Sequence, residues 1–380
     1  MHHQTCLIFL SPLAALAICA ATPGSAQDAG SSFIGAAMPD QNTITNSAFG
    51  FSNGSIVVAP IPLSNPSLGS GLIVGGGYIF QSDAESDTSF FGLAAMRTDN
   101  GSEAVGAALN LSFGEGRWGV KLAYGKADVN YSLNLLSGIN FGMLDIRQKG
   151  DIADVALSYG LTETISAGVE ASWLKTTVTD QRLSAVLPPV IGDFGLEVEQ
   201  ITYGPFLEWN TVDDIIYPTS GHRVRYEMQK GEGLDGFNAD FLRQTLTVDA
   251  YAPFGERLVL ASKAIACQVN GDAPYFSLCG VGVTDGLRGY AAGLYFDSAL
   301  ASLQTEMRLR ATKRIGLTVF GGGSVGASSF NEFGDAKILA AGGVGLRYRL
   351  SHKFPLDFSV DGAWNVDGEF STYVYVGQRF

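Results

Sequence analysis

The chain ends on the stretch Phe370-Ser371-Thr372-Tyr373-Val374-Tyr375-Val376-Gly377-Gln378-Arg379-Phe380, whose side chains alternate in character with a period of two. Such alternation is typical of a β-strand with two different faces, because successive side chains of a strand point to opposite sides. We expect one face to contact lipid and the other to point into a barrel. The lipid face would carry Phe370, Val374, Val376 and Phe380, and the inward face Tyr373, Tyr375, Gly377 and Arg379. A terminal aromatic residue is a common barrel feature, so Tyr373, Gly377 and Phe380 are interpreted as a C-terminal barrel signal.

The same alternation recurs upstream. In residues 222–229 the even positions Val224, Tyr226 and Met228 are apolar, and the odd positions from Arg223 onward are polar. The pattern returns in residues 198–209, 241–250, 299–310 and 338–350. Half-buried strands of a soluble sandwich would alternate in the same way. Segments of about ten residues, the turn signals between them, export from the cytoplasm and a strand that stops at the last residue together favour an outer-membrane barrel.

The number of candidate strands is consistent with such a barrel. Counting backwards from Phe380 gives about sixteen, and bacterial outer-membrane barrels have an even number. If both ends of the barrel lie in the periplasm, links from odd to even strands face outward. The long segments 131–150, 175–195 and 267–297 all fall on such links. The predicted fold class is therefore all-β, a transmembrane antiparallel barrel of about sixteen strands.

The composition differs from that of a soluble enzyme. Charged residues make up 16% of the sequence, against about 25% in typical soluble domains. The net charge of -13 argues against a nucleic-acid partner, because phosphate binding needs clustered Lys and Arg. Beyond the export signal only His222 and His352 remain, so neither a metal site nor a Ser-His-Asp triad is predicted. We therefore expect no enzymatic activity and no cofactor.

The N-terminus carries the pattern of an export signal. Residues 6–21, CLIFLSPLAALAICAA, form a short apolar run that is followed by a Pro-Gly break and small residues up to Ala26. This order is typical of a signal peptide cleaved after Ala26, although His2 and His3 stand where Lys or Arg is usual. A retained membrane helix is the alternative, and the run is short for one. The predicted organisation is a signal peptide at 1–26, a short N-terminal periplasmic segment at 27–53 and the outer-membrane barrel at 54–380.

Two cysteines remain after this cleavage. Cys267 lies at the end of one predicted strand, and Cys279 lies in the outer loop that follows. Export places both in an oxidising compartment, where a disulfide between them can form. Alternatively, cysteines at a strand end face lipid as inert apolar groups.

Five short motifs lie in order along the second half of the chain. Residues 213–221, DDIIYPTSG, carry the pattern D-x-x-x-(Y/F)-P-T-x-G through Asp213, Tyr217, Pro218 and Gly221. They are followed by Leu287-Arg288-Gly289-Tyr290, by Glu306-Met307-Arg308, by Gly343-Val344-Gly345-Leu346-Arg347-Tyr348 and by Val376-Gly377-Gln378-Arg379-Phe380. These pieces resemble the periplasmic turn, the (V/L)-R-G-(F/Y) loop, the E-x-R strand, the G-x-G-L-R-Y strand and the G-x-x-F end of the BamA/TamA superfamily, also called the bacterial surface antigen family. The resemblance is specific over residues 202–380 and general before them.

The chain departs from this family in two places. Family members usually carry POTRA modules ahead of the barrel, but the interval between Gln27 and the first predicted strand is too short for one. The strand after the E-x-R motif carries an F-x-D-x-G element in the family. This chain reads Val319-Phe320-Gly321-Gly322-Gly323 there and lacks the acidic residue. We therefore expect no POTRA domain and no second carboxylate for the loop arginine.

The chemistry of the loop motif predicts a partner for its arginine. An unpaired guanidinium inside a barrel costs several kcal/mol, so Arg288 needs a carboxylate or backbone acceptors. Glu306 points inward by strand parity and matches the acidic residue of the family, and we predict that the two residues pair. Gly289 permits a backbone conformation that residues with side chains resist. The alternative is an ordinary glycine turn with a solvated arginine.

The resemblance implies a protein that assists the insertion or translocation of other proteins at the bacterial outer membrane. The implied partners are outer-membrane lipid, unfolded outer-membrane or secreted client proteins, and a separate periplasmic partner in place of the POTRA modules. The mechanism proposed for the family is an opening between the first and last strands, with the arginine loop bracing the lumen. Two alternatives stay open, a passive channel or structural surface antigen without assembly activity, and an outer-membrane hydrolase.

Overall fold

A computed structural model gives the architecture of the chain. It describes residues 55–83, 86, 89–135, 144–180, 195–214, 217–284, 286–292, 294–350 and 357–380. The predicted signal peptide and N-terminal periplasmic segment therefore lie outside the described residues.

Sixteen long β-strands account for most of the described chain. They are β1 Ser55–Asn65, β2 Gly69–Phe80, β3 Ser89–Thr98, β4 Glu103–Phe113, β5 Trp118–Leu135, β6 Leu144–Gly160, β7 Ile165–Asp180, β8 Gly195–Asn210, β9 Gly221–Gly233, β10 Asp240–Phe254, β11 Leu258–Asp272, β12 Ala299–Arg310, β13 Ile315–Ala327, β14 Ile338–Arg349, β15 Asp357–Asn365 and β16 Phe370–Val376. The β11–β12 link adds the short strands Cys279–Gly280 and Tyr295–Asp297 and the 3-10 turn Tyr275–Ser277, and the β13–β14 link adds the 3-10 turn Phe330–Glu332.

The strands close into a barrel. Neighbouring strands pair antiparallel in chain order from β1 to β16, and β16 returns to pair with β1. This confirms the predicted fold class and strand number. No POTRA-like domain is evident among the described residues. Within that part of the chain, no helix is long and apolar enough to cross a membrane.

The barrel places polar side chains inside and apolar side chains outside. On β9, Arg225, Glu227 and Gln229 are buried, whereas Tyr226 and Met228 between them are exposed. On β12, Gln304, Glu306 and Arg308 are buried, whereas Leu303, Met307 and Leu309 beside them are exposed. An apolar outer band suits contact with lipid, while polar groups can be satisfied by one another inside, so this distribution is that of a membrane barrel.

A long segment fills part of the interior. We call residues 273–298, between β11 and β12, the lumen loop. Its residues Phe276 and Phe296 belong to a buried apolar cluster that includes Val129 and Tyr131 of β5. Its short strand Tyr295–Asp297 also pairs in parallel with the end of β5. Because β5 lies across the barrel from β11, the lumen loop crosses the interior from one wall to the other.

The seam between β1 and β16 is the shortest ladder of the barrel. Across it, only Ser64 and Val374 are in register among the described residues, whereas β15 and β16 pair over seven residues. The strand β16 ends early because Gly377 has a φ of 105°, which turns the chain out of the sheet. The Gly377 N–H still donates to the carbonyl of Asp357 at 2.7 Å. The last strand therefore stays joined to β15 and is barely joined to β1.

The residues after Gly377 turn into the lumen. Phe370 is exposed as predicted, but Val376 and Phe380 are buried. Val376 belongs to a buried apolar cluster that also contains Ile61 of β1. The prediction that Val376 and Phe380 contact lipid is therefore wrong. Phe380 turns inward because the period of two holds only within a regular strand, and the positive φ of Gly377 ends it before residue 380. Val376 still lies within β16, but packing in the cluster with Ile61 covers it.

Candidate functional site in the barrel lumen

The lumen loop is tied to the barrel wall at its root. Cys267 on β11 and Cys279 in the loop form a disulfide, with their Cα atoms 6.0 Å apart. Both residues are fully buried and pack with Leu287 and Tyr290 in one apolar cluster. The loop motif is therefore delivered into the lumen by a short covalent tether and by the burial of its own apolar side chains.

Replacing Cys267 and Cys279 with serine is expected to loosen the lumen loop while the strand ladder stays intact. The two cysteines are twelve residues apart, and closing a loop of this size contributes about 3 kcal/mol. Limited proteolysis should therefore cut the loop of the double variant faster than that of the wild type. Mass spectrometry of the wild-type barrel under non-reducing conditions should show the linked pair. Two free thiols at these positions would rule the disulfide out.

Carboxylates from two different strands hold the side chain of Arg288. Its Nη1 atom lies 2.7 Å from Oε2 of Glu306 on β12 and 2.7 Å from Oδ2 of Asp361 on β15. Its Nε donates to Oε1 of Gln304 at 3.0 Å. Its guanidinium carbon lies 3.4 Å from the ring centroid of Phe320 on β13. The side chain has no exposed surface, so the two carboxylates compensate a charge that has lost its water.

The second carboxylate, Asp361, was not predicted from the sequence. We expected none because β13 carries Phe320 and glycines where the family that the motifs resemble carries an acidic residue. The structure supplies Asp361 from β15 instead, and Phe320 provides an aromatic face for the arginine. The available signal was an aspartate at an inward position of an alternating strand, next to the inward residue Ser359. Only the packing of β15 against the lumen loop shows that Asp361 meets Arg288.

The backbone conformation at Gly289 and the space around it suit a residue without a side chain. Gly289 has a φ of 106°, and an added Cβ atom would lie 2.6 Å from Cβ of Ala341. Its N–H donates to the hydroxyl of Tyr373 at 2.8 Å, and its carbonyl accepts from Nδ2 of Asn365 at 3.1 Å. The Tyr290 hydroxyl donates to the carbonyl of Ala340 at 3.1 Å. The loop motif thus docks on β14, β15 and β16, the strands that lead up to the seam.

Charged side chains link these strands to one another. Oε1 of Glu306 accepts from Nε of Arg308 at 2.8 Å, and Oε2 lies 3.6 Å from Nη2 of Arg347. Arg347 on β14 also pairs with Asp361. The hydroxyl of Tyr375 on β16 donates to Oδ2 of Asp361 at 2.7 Å. One buried network therefore joins β12, β14, β15 and β16 to the arginine of the lumen loop.

The β8–β9 turn closes the opposite end of this network. Oδ1 of Asp213 accepts from the backbone N–H groups of Thr219 and Ser220 at 2.9 and 3.1 Å. The Pro218 carbonyl accepts from Nη1 of Arg308 at 3.4 Å. The ring of Tyr217 faces the guanidinium groups of Arg308, Arg310 and Arg349, at 6.0, 5.1 and 5.2 Å from its centroid. The turn motif, which ends at Gly221 where β9 begins, therefore folds back against the lumen.

Replacing Asp213 with alanine is expected to loosen this turn by about 1 kcal/mol, since the hydrogen bonds are local and partly exposed to water. Burial alone would raise the pKa of Asp213, but the bonds from Thr219 and Ser220 hold it below the ordinary value of 3.8. The ionised carboxylate of Asp213 therefore stabilises the turn at pH values above its ordinary pKa. This stabilisation is lost as the pH falls through the lower pKa of the folded state. Amide exchange of Thr219 and Ser220 should accelerate at such acid pH in the wild type. Equal acceleration in the alanine variant would contradict this assignment.

The C-terminus completes the site. The ring centroid of Phe380 lies 5.8 Å from the guanidinium carbon of Arg288 and 5.9 Å from that of Arg308. The ring also packs with Tyr251 and Ala261 of β10 and β11. The loop motif, the E-x-R strand, the G-x-G-L-R-Y strand, the turn motif and the chain end thus meet in one cluster, although they are spread over more than 160 residues of sequence.

A second buried ion network was not singled out from the sequence. Nη2 of Arg225 lies 2.8 Å from Oε2 of Glu170, and Nη1 lies 3.7 Å from Oε2 of Glu208. Arg225 also pairs with Glu227 and stacks on Phe206, with its guanidinium carbon 3.8 Å from the ring centroid. These residues come from β7, β8 and β9. Their inward positions were readable from the alternation, but which of them meet depends on the register of three strands.

No family model matches the chain, and no curated protein matches it. Among solved structures, the chain is similar to BamA from Haemophilus ducreyi lacking POTRA domains 1-3, with 16% identity and a TM-score of 0.57 over 85% of this chain and 69% of that one.

The chain is also similar to two CdiB structures. For CdiB from Escherichia coli the identity is 13% and the TM-score 0.54, over 87% of this chain and 63% of that one. For CdiB from Acinetobacter baumannii the values are 9% and 0.55, over 85% of this chain and 59% of that one. The chain thus spans less than two thirds of either CdiB chain. It folds as a sixteen-stranded antiparallel barrel of the BamA and CdiB type.

Proposed function

We propose that this protein is a bacterial outer-membrane barrel that assists the insertion or translocation of other proteins. The observation that carries the proposal is the seam, where Ser64 and Val374 are the one pair in register within the described part of the chain. A sheet edge without a partner presents backbone donors and acceptors that an incoming strand can pair with. Within lipid such groups are costly to leave unsatisfied, so a short seam favours exchange of one strand partner for another.

The lumen network supports this role because it lies on one side of the seam. Arg288, Glu306, Asp361 and Tyr375 join β12, β15 and β16 to the lumen loop. On the other side of the seam the loop packs through Phe276 and Phe296 into a buried apolar cluster that contains Ile61 of β1, and Oγ of Ser67 donates to the carbonyl of Ala292 at 3.0 Å. Ion pairs and hydrogen bonds brace the β16 side against the loop, whereas the β1 side meets it mainly through apolar packing. The seam would therefore open by movement of β1, which leaves the ion network intact.

The partners implied by this role are outer-membrane lipid, unfolded client proteins and a separate periplasmic partner that delivers them. The end of the barrel that carries the β8–β9 turn and the C-terminus would face the periplasm, and the lumen loop would approach the outer side. The apolar outer surface of the strands, with residues such as Leu303 and Met307 exposed, supports a location in the membrane.

Locking the seam tests the proposal. A variant with Ser64→Cys and Val374→Cys, cross-linked by oxidation, is expected to lose client assembly in cells depleted of the wild-type protein. Unfolded barrel proteins should then accumulate as they do on depletion alone. The control pair Ser262→Cys and Thr305→Cys joins β11 to β12, which are in register over eleven pairs, and should support assembly when cross-linked. Full complementation by the locked seam would overturn the proposal.

A passive channel is the competing function. It requires a continuous aqueous path, whereas the lumen loop crosses the interior from β11 to β5. Planar-bilayer recordings distinguish the two functions. The assembly role predicts little steady conductance in the wild type. A large and constant conductance, with normal barrel assembly after depletion, would favour the passive channel.

A further inference from the structure

The orientation of the backbone in β1 follows from a contact of its neighbour β2. The Ser70 carbonyl accepts from the N–H of Asp99 at 2.8 Å, and the Ser70 N–H donates to Oδ1 of Asp99 at 2.9 Å. Asp99 follows β3, so the peptide groups of Ser70 point towards β3 and away from β1. The direction of these backbone groups alternates along a strand. The N–H and C=O groups of even-numbered residues of β2 therefore point away from β1.

The register between β1 and β2 carries this orientation into β1. The ladder runs without interruption and opposes Ser64 to Ser70, Pro62 to Leu72 and Pro60 to Val74. In an antiparallel pair, opposed residues that do not hydrogen-bond to each other both direct their backbone N–H and C=O groups away from the partner strand. The peptide groups of Pro60, Pro62 and Ser64 therefore point towards the seam with β16. Both prolines lie on the seam edge and leave the β1–β2 ladder intact.

The two prolines explain why the seam is short. Proline has no N–H to donate, so of these three positions only Ser64 offers one. Ser64 is also the one residue of β1 in register with β16, opposite Val374. Continuing this register places Pro62 opposite Val376 and Pro60 opposite Gln378. The ladder therefore stops where the first proline falls.

A proline elsewhere in the barrel has the same effect. Pro205 on β8 is in register with Val169 of β7 on one side. On its other side the β8–β9 ladder is in register up to Tyr203 and resumes at Phe206. The interruption covers Pro205 and its neighbour Gly204. A single proline thus breaks a ladder on one side only, and two prolines at alternate positions extend the break along one edge.

The edge of β16 has a complete set of donors. The N–H of Gly377 points to β15, where it bonds to the carbonyl of Asp357. The backbone N–H and C=O groups of odd-numbered residues of β16 therefore point to β15, and those of even-numbered residues point to the seam. The seam-facing residues are Phe370, Thr372, Val374 and Val376, each with a backbone N–H. The two edges of the seam are therefore unequal as templates for another strand.

We propose that Pro60 and Pro62 keep the seam from pairing further and direct an incoming strand to the edge of β16. The strand would take the antiparallel place of β1, with apolar side chains towards lipid and polar ones towards the lumen. This inference rests on the proposed function, because it names the edge at which a client strand is received. The chemistry that recognises the client is the row of backbone donors and acceptors on β16.

The first arm of the test needs no client. Hydrogen exchange of the Val374 and Val376 amides is measured on the full barrel in lipid nanodiscs. In the double variant Pro60→Val and Pro62→Val, two restored donors should hold the seam closed and slow this exchange about tenfold. The matched control Pro205→Val adds a donor on β8, away from the seam, and should leave this exchange unchanged. Unchanged exchange in the double variant would overturn the role of the two prolines, but not the acceptance of a strand at the seam.

The second arm uses the wild-type sequence and a defined probe. The probe is a synthetic peptide with the sequence of residues 299–310, which alternates and contains no proline. A photoreactive side chain is introduced at Val58 on β1 or at Thr372 on β16, both of which are exposed. Cross-linking from position 372 should exceed that from position 58 about tenfold.

The outcomes of the two arms separate this inference from the proposed function. Stronger cross-linking from position 58 would overturn the choice of β16 and leave strand acceptance at the seam intact. Absence of cross-linking from both positions would overturn strand acceptance itself, and with it the choice of edge. Cross-linking mainly from position 372, together with slower exchange in the double proline variant, would support both halves of the inference.

Discussion

Replacing Arg288 with alanine is expected to release the lumen loop while the barrel remains in the membrane. The change leaves Glu306 and Asp361 buried without their shared cation, and removing one partner of a buried ion pair costs about 3–5 kcal/mol. Insertion should persist, because the strand ladder does not depend on this side chain. Proteolysis near Tyr290 from outside should be faster, and the unfolding temperature of the purified barrel should fall.

Single neutralisation of either carboxylate sharpens this prediction. Because Arg288 contacts both, Glu306→Gln and Asp361→Asn should each give part of the effect of Arg288→Ala. Each carboxylate change combined with Arg288→Ala should be less than additive. The control Arg147→Ala removes a half-exposed ion pair with Asp128 and should cost at most about 1 kcal/mol. Independent, additive effects of Arg288→Ala and Glu306→Gln would show that the pair does not act as a unit.

Replacing Phe380 with alanine is expected to impair assembly of the barrel and to leave export unaffected. The ring is buried against Tyr251 and Ala261 and lies near two guanidinium groups. Truncation of a buried phenylalanine costs about 3–5 kcal/mol. It would also uncover the network that joins the loop to β12. Outer-membrane yield of the variant should drop while its soluble periplasmic form accumulates.

Phe370 provides the matched control for this prediction. It lies at the start of β16, is also a phenylalanine and is exposed on the outer face. Phe370→Ala should reduce the yield much less than Phe380→Ala, because little buried surface is lost. Normal outer-membrane yield of Phe380→Ala would count against a role of the terminal aromatic residue in assembly.

Local patterning was sufficient to predict the class of fold. Alternation in segments such as residues 222–229 indicated strands with one polar and one apolar face, and β9 has this arrangement. Strand periodicity is a local property, because each side chain points opposite to its neighbour wherever the backbone is extended. For the same reason, the inward position of Glu306 could be inferred from parity on β12 alone.

Tertiary structure decided which inward residues meet. Asp361 approaches Arg288 from β15, whereas the motif resemblance implied an acidic residue on the strand after the E-x-R motif. This contact depends on how the lumen loop lies across the wall. The inward turn of Phe380 depends on one backbone angle at Gly377, which periodicity does not report.

The sequence by itself determined the barrel and the face of most side chains within its regular strands, because these follow from the alternation of neighbours along one strand. The seam and the lumen network required the closed structure. Which edge of β1 carries Pro60 and Pro62 depends on the direction of the peptide groups, and that direction follows from the contact of Ser70 with Asp99 on the far side of β2. Hydrogen-bond partners between strands are set by register and closure, which no single segment contains.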